Sequence, residues 1–314
     1  MKLGKISNAV LDRSVIKRLG SLAGKKKEKI RPGMDAGLLE VEAGQIAMSI
    51  ETGQHAAISA FNNLYVSGAI PKTVECSISL AESDREIKLR KIEDQLAADI
   101  AMVDATVLGG ETIVSNAVNK PLVTVCALGQ KKYSLAYEPK AGDDIIMTKY
   151  IGMGGVRSLI EAKREEILER LPLDYLEKAY GSRSDLLIAK EAMACIDKAS
   201  YMHDASKGGI LAALWDLGQY LNMGFSVDMR KISVSQAIIE VCEIFDINPY
   251  HLDSTGCLLM TSPRGCDILD ILNGCGLKAS IIGTLQDGNE RILINNEDKR
   301  YLDEPQPDEI TKYV

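Results

Sequence analysis

Apolar residues recur along this chain with two alternating periods, and the switches between them outline sheet and helix. Residues 37–41 and 45–50 read as strands divided by a turn at Ala43-Gly44, and the alanine-rich stretch 55–65 reads as a helix ending before Ser67-Gly68. Residues 72–80 alternate, with Val74, Cys76 and Ile78 on one face, as a half-buried strand does. A helix is expected from Ser83, where Glu86 three residues on forms a capping-box pattern. Its apolar stripe is Ile92, Leu96, Ile100 and Val103. Val107-Leu108 and residues 122–128 complete the first half as strands. The order predicts an α+β domain with helices packed on a mostly antiparallel sheet.

Residues 130–142, with Pro139 and Gly142, form the expected boundary, giving a first domain over 1–137 and a second over 138–314. The second half opens on a strand at 144–148, a glycine-bearing turn at 152–155 and a helix to about 171. Further strands are expected at 225–229, 257–261, 279–284 and 292–295, with helices at 184–199, 209–221, 235–245 and 266–273. A polar segment, 1–31, with a short helix near 7–19, precedes the first domain, and a last helical turn is expected at 308–313.

Charge narrows the function. The formal net charge is −7, which argues against a nucleic-acid binder, since that needs a basic face to neutralise phosphates. The basic cluster Lys25-Lys26-Lys27-Glu28-Lys29-Ile30-Arg31 reads either as a solvated segment or as an arm folding over a polyphosphate. The seven cysteines, an odd number without a C-x-x-C pair, read as small core residues in a reducing compartment. The N-terminus lacks an apolar signal core and no apolar run reaches membrane-spanning length, so a cytoplasmic protein without membrane contact is expected.

The candidate chemistry lies in glycines and acids at strand ends. In Leu108-Gly109-Gly110-Glu111-Thr112, adjacent glycines let backbone N–H groups approach a polar ligand, and Glu111 offers oxygen to a hard cation such as Mg²⁺. Gly33-Met34-Asp35-Ala36-Gly37 and Ser49-Ile50-Glu51-Thr52-Gly53 place two more acids at strand-to-loop junctions, and Asn62-Asn63 supplies amides. Each acid alone serves equally as a turn or cap; together they suggest one cation site. His203-Asp204-Ala205-Ser206-Lys207-Gly208-Gly209 precedes an amphipathic helix whose N-terminus suits an anion such as phosphate, while Asp204 or Ser206 also fits as its cap. Asp253-Ser254-Thr255-Gly256 reads as a turn or a cleft lining. Phosphate-loop, dinucleotide and Gly-x-Ser-x-Gly patterns are absent, and three scattered histidines do not suggest zinc.

Taken in order, these segments resemble the superfamily of aminoimidazole ribonucleotide (AIR) synthase, hydrogenase maturation factor HypE, selenophosphate synthetase and thiamine monophosphate kinase. Gly33-Met34-Asp35-Ala36 resembles its Gly-Asp-Asp-Ala segment, and Asn62-Asn63 through Ala69 its Asn-Asp-(x)₃-Ser-Gly-Ala segment. Gly109-Gly110-Glu111-Thr112, Gly142-Asp143-Asp144 and the His203–Gly209 stretch also match, and Asp253–Gly256 stands at its Ser-Ser-Gly position. The tail from Pro305 resembles a HypE-like branch. The resemblance implies a two-domain homodimer that binds ATP and Mg²⁺ and transfers a phosphoryl group to an amide, carbonyl or similar group of a small substrate. It would give Asp35, Glu51 and Glu111 to the metal, and Asn63, Gly109, Gly110 and Thr112 to the nucleotide. Asp204, Gly208 and Gly209 would complete the cleft. It assigns no catalytic side chain. Three departures stand out: Met34 and Asn63 replace acids, Glu51 replaces an aspartate ahead of a shortened loop, and the chain ends Tyr313-Val314 without the terminal cysteine of HypE. The alternative they raise is a catalytically degenerate HypE-like homodimer acting as a binding or maturation partner.

Overall fold

The computed structural model describes residues 8–16, 34–42, 44–172, 174–176 and 181–313. The basic cluster at 25–31 lies outside these residues. The chain divides into two compact units, residues 35–134 and the remainder. Helix α1 (Asn8–Leu11) groups with the second unit, where Asn8 Nδ2 donates to Asp216 Oδ1 at 3.3 Å.

In the first unit, strands β1 (Gly37–Val41), β2 (Gly44–Thr52), β3 (Ala69–Leu80), β4 (Thr106–Val114) and β5 (Leu122–Lys131) form a sheet ordered β1-β2-β5-β3-β4. Every pair is antiparallel except β3 and β4, which the crossover helix α3 (Glu86–Ala101) joins in parallel. Helix α2 (Ala56–Val66) is buried along its whole length. Its alanines and serine let it lie close on the inner face, against Ala47, Val74, Ile78, Val125 and Ala127. The opposite, outer face is apolar and uncovered in the single chain: Leu39, Met48, Ile50, Ile113 and Leu122 are all exposed.

Two local expectations are corrected here. The capping box at Ser83 does not form: α3 begins at Glu86, and Asp84 instead accepts from the Ala81 N–H at 2.8 Å. The Gly109-Gly110-Glu111-Thr112 stretch is not a loop but the middle of edge strand β4. A bulge beside it sets Val107 opposite Val74 and Gly109 opposite Glu75, so Leu108 is the extra residue.

The second unit holds a seven-stranded sheet ordered β12-β11-β8-β10-β6-β9-β7. Its strands are β6 (Asp144–Thr148), β7 (Tyr201–Ala205), β8 (Gly224–Asp228), β9 (Cys257–Ser262), β10 (Ala279–Gln286), β11 (Arg291–Asn295) and β12 (Asp298–Tyr301). Only β8 and β11 pair in parallel. Helices α4 (Met153–Leu168), α5 (Ala189–Cys195), α6 (Gly209–Leu221), α7 (Gln236–Ile244) and α8 (Gly265–Gly274) belong to the same unit. Leu214, Leu217, Phe225, Val227, Leu259 and Leu285 lie in its core. Two strands have no counterpart in the sequence reading. β7 is buried at all five positions, so it shows no alternation. β12, Asp-Lys-Arg-Tyr, is exposed throughout, and charge on an edge strand discourages pairing with another chain.

Candidate functional site

Side chains alternate across a strand, so the buried residues Ala47 and Ser49 place Glu51 on the same inner face of β2. Asn63, buried on α2, reaches that face. Its Nδ2 donates to Ser49 Oγ at 3.0 Å and to Glu51 Oε1 at 3.0 Å, fixing the carboxylate from one side. Asp35 stands two residues before Gly37, which pairs with Met48, so it enters the sheet at the β2 end that carries Glu51. The structure therefore joins Glu51 and Asn63 directly, while Asp35 precedes β1 with its backbone near the same end of the sheet.

Glu111 is elsewhere. It pairs with Ser77, Ser77 with Thr124, and Thr124 with Thr52, across β4, β3, β5 and β2. Three strand spacings separate it from β2, roughly 14 Å. That row is also one residue out of step with Glu51, so Glu111 lies with the outer face. The convergence of Asp35, Glu51 and Glu111 expected from the sequence does not form within one chain. Among the described residues, no group of three or more His, Cys, Asp or Glu side chains is placed to hold a metal ion. Gly110 has its own structural reason: a Cβ there would run into the Cys76 carbonyl oxygen. Gly109 and Thr112 lie on the same exposed strand.

In the second unit, Asp204 is next to last in β7, buried and opposite Leu258. Gly208 and Gly209 start α6 with φ of +81° and +69°. A side chain at Gly209 would meet the Tyr250 and Leu252 carbonyl oxygens 2.5 and 2.7 Å away, so this corner excludes any Cβ. The acceptor at this helix start belongs to the chain itself. Asp308 Oδ2 accepts from the Gly208 N–H at 2.7 Å, while Oδ1 accepts from the Asp253 and Ile310 N–H groups at 3.2 and 3.0 Å. Burial, with the Asp253 carboxylate next to it, pushes Asp308 up to about 7 against the pull of those three donors. Asp308 was legible only as the cap of the last turn; nothing local linked it to a helix 100 residues earlier.

A half-buried charge in the second unit has partners distant in sequence. Lys149, in the left-handed region at φ +53°, pairs with the buried Glu191 at 2.7 Å and donates to the Asp185 and Leu187 carbonyls at 2.8 and 3.2 Å. Three acceptors around one ammonium make it a tie between the end of β6 and the segment leading into α5. Cys257 lies in the same neighbourhood, and its fully enclosed thiol is pushed up to about 12 by burial, so it stays neutral.

A helix-backed five-stranded sheet followed by a seven-stranded unit with glycine-started helices defines a two-domain α+β architecture of the AIR synthase kind. Residues 35–130 match the AIR synthase related protein N-terminal domain, and residues 140–295 match the AIR synthase related protein C-terminal domain. The chain belongs to this family. A carbamoyl dehydratase HypE of Rhizobium leguminosarum bv. viciae is 23% identical over 279 residues, covering 81% of this chain and 77% of the relative. Among solved structures, a hydrogenase maturation protein HypE in complex with ATP superposes with a TM-score of 0.70 at 16% identity, covering 98% of this chain and 97% of that one. AaThiL complexed with AMPPCP and TMP gives 0.71 at 17% identity, covering 98% and 99%. The described residues contain no helix long and apolar enough to cross a membrane.

Proposed function

We propose that this protein is an ATP-dependent phosphoryl-transfer enzyme that activates an amide, carbonyl or similar group of a small substrate in the cytoplasm. Glu51 and Asp35 would hold Mg²⁺, which would supply charge neutralisation to the triphosphate. The observation that carries this reading is the Asn63 clamp on Glu51, in a fold shared with an ATP-bound HypE and an AMPPCP-bound AaThiL. Phosphoryl transfer needs positioning and charge neutralisation more than a side-chain nucleophile, which fits a site of acids and amides. The reading also gives nucleotide contacts to Gly109, Gly110 and Thr112 in the first unit and to Asp204, Gly208 and Gly209 in the second.

The working form in this reading is a homodimer. The exposed outer face, which includes Met48 and Ile50, is the kind of apolar sheet surface a second copy covers. Glu111 joins a cation site only if that second chain supplies it. The degenerate alternative is favoured by one observation: Asn63 stands where the family carries an acid, and its amide is spent on holding Glu51. Phosphate release from Mg-ATP separates the two. Slow turnover lost in Asp35→Asn supports the enzyme, whereas nucleotide binding with no Asp35-dependent turnover supports the partner.

A further inference from the structure

Strands β6 and β7 end, and β9 begins, at the same end of the second sheet. The turn into α6, the loop before β9 and the glycine start of α4 therefore meet there. The Ser254 N–H donates to the Ser206 carbonyl at 3.1 Å, and the Gly155 N–H to the Asp253 carbonyl at 2.8 Å. Ser254 Oγ accepts from the Gly152 N–H at 2.9 Å and donates to the Leu252 carbonyl at 3.0 Å. Asp253 Oδ1 accepts from the Thr255 N–H and hydroxyl at 2.8 and 2.7 Å. Two more N–H groups of this junction, those of Gly208 and Asp253, take their acceptor from the tail.

Asp308 supplies it with both oxygens. Oδ2 faces Gly208, while Oδ1 faces Asp253 and Ile310, so each oxygen holds a different segment. The bridged residues stand 100 and 55 positions earlier in the chain. A side-chain amide of the same shape cannot replace it, because it offers one oxygen and turns an NH₂ donor toward the other N–H. The tail also has a hold that does not involve the carboxylate. The Tyr313 ring meets Phe245 edge-on at 5.2 Å and its hydroxyl donates to the Phe245 carbonyl, while Thr311 Oγ1 closes the last turn on the Asp308 carbonyl at 2.7 Å. Exchanging carboxylate for amide therefore cuts the bridge and leaves the tail in place.

We propose that Asp308 is a positioning residue of the nucleotide site, setting the Gly208-Gly209 helix start against the Asp253–Gly256 loop from the far end of the chain. The proposal rests on the phosphoryl-transfer reading, which gives nucleotide contacts to Asp204, Gly208 and Gly209. The Gly208 and Gly209 N–H groups are occupied, by Asp308 and by the Ser206 carbonyl. These glycines therefore serve the site through the shape of the corner, and that shape is what Asp308 holds.

The test uses the full chain, unaltered and as Asp308→Asn, Asp308→Ala and Tyr313→Ala, at a temperature where circular dichroism shows the proteins folded. Without nucleotide, amide exchange at Gly208 and Asp253 should quicken about tenfold in either Asp308 variant and stay unchanged in Tyr313→Ala. Calorimetric titration with Mg-ATP should give an affinity about tenfold weaker in the Asp308 variants and within about twofold of the unaltered protein in Tyr313→Ala. A group that only adds stability does not move the affinity of the folded protein, so unchanged affinity in the Asp308 variants overturns the positioning role. Equal weakening in Tyr313→Ala overturns the assignment to this carboxylate. Unchanged exchange at Gly208 and Asp253 overturns the bridge itself, with or without nucleotide. Absence of binding in the unaltered protein is the distinct outcome that overturns the phosphoryl-transfer reading, and the positioning role falls with it.

Discussion

At Asn63 one amide does two jobs, completing the hydrogen bonding of buried Ser49 and aiming Glu51. Asn63→Ala removes both bonds and leaves polar groups short of a partner, so about 2 kcal/mol of stability should be lost in urea unfolding. The sequence placed Asn63 beside a ligand but could not show that its first partner is a neighbouring acid. Gly110 carries a structural reason that the sequence did not show. A Gly-Gly pair signals close approach of backbone to something, and here that is the Cys76 carbonyl of the next strand. Gly110→Val should detach β4 from β3 and cost about 3 kcal/mol or more, whereas Gly109→Ala, whose Cβ meets nothing nearby, should cost far less. Equal losses at the two positions would contradict this account of the strand.

At the scale of elements, period and punctuation carried most of the fold. Helix α6 and strands β3 and β6 follow from apolar spacing and flanking glycines. What escaped were segments whose partners lie far away in sequence: β7, buried on both faces, the charged edge strand β12, and the tail fastened by Asp308. Tertiary context decides all three. The tail has a consequence for global stability as well. Because folding raises the Asp308 pKa, its contribution is present at low pH and declines as pH rises toward 7. Relative to Asp308→Asn, the unfolding free energy of the unaltered protein should fall by roughly 1 kcal/mol from pH 5 to pH 6. Parallel urea titrations of the two proteins check this. The Lys149 tie gives a further expectation: Lys149→Ala leaves buried Glu191 without its cation and should cost about 3 kcal/mol.

At the scale of the molecule, the two family domains and their order were legible because the acid and glycine segments of this family are spread over nearly the whole chain, but helix α1, expected with the first domain, groups with the second unit. The shared cation site was not, since motifs fix the order of residues along the chain and leave open which face of a sheet each one occupies. Glu51 and Glu111 lie near opposite ends of that difference. The uncovered face carrying Met48 and Ile50 bears on the same question, because only a second chain can bring another Glu111 near Glu51. Paired Met48→Lys and Ile50→Lys substitutions should convert a dimer to a monomer in light scattering, with little change in monomer fold.

The central claim is that Glu51, aimed by Asn63 beside Asp35, meets a magnesium-bearing triphosphate. Calorimetric titration of ATP into the protein, with and without Mg²⁺ and beside Glu51→Gln, tests it most directly. Saturable binding that requires Mg²⁺ and weakens at least about tenfold in Glu51→Gln is the predicted result. Absence of heat in the unaltered protein, or an affinity indifferent to both the metal and Glu51, would contradict it.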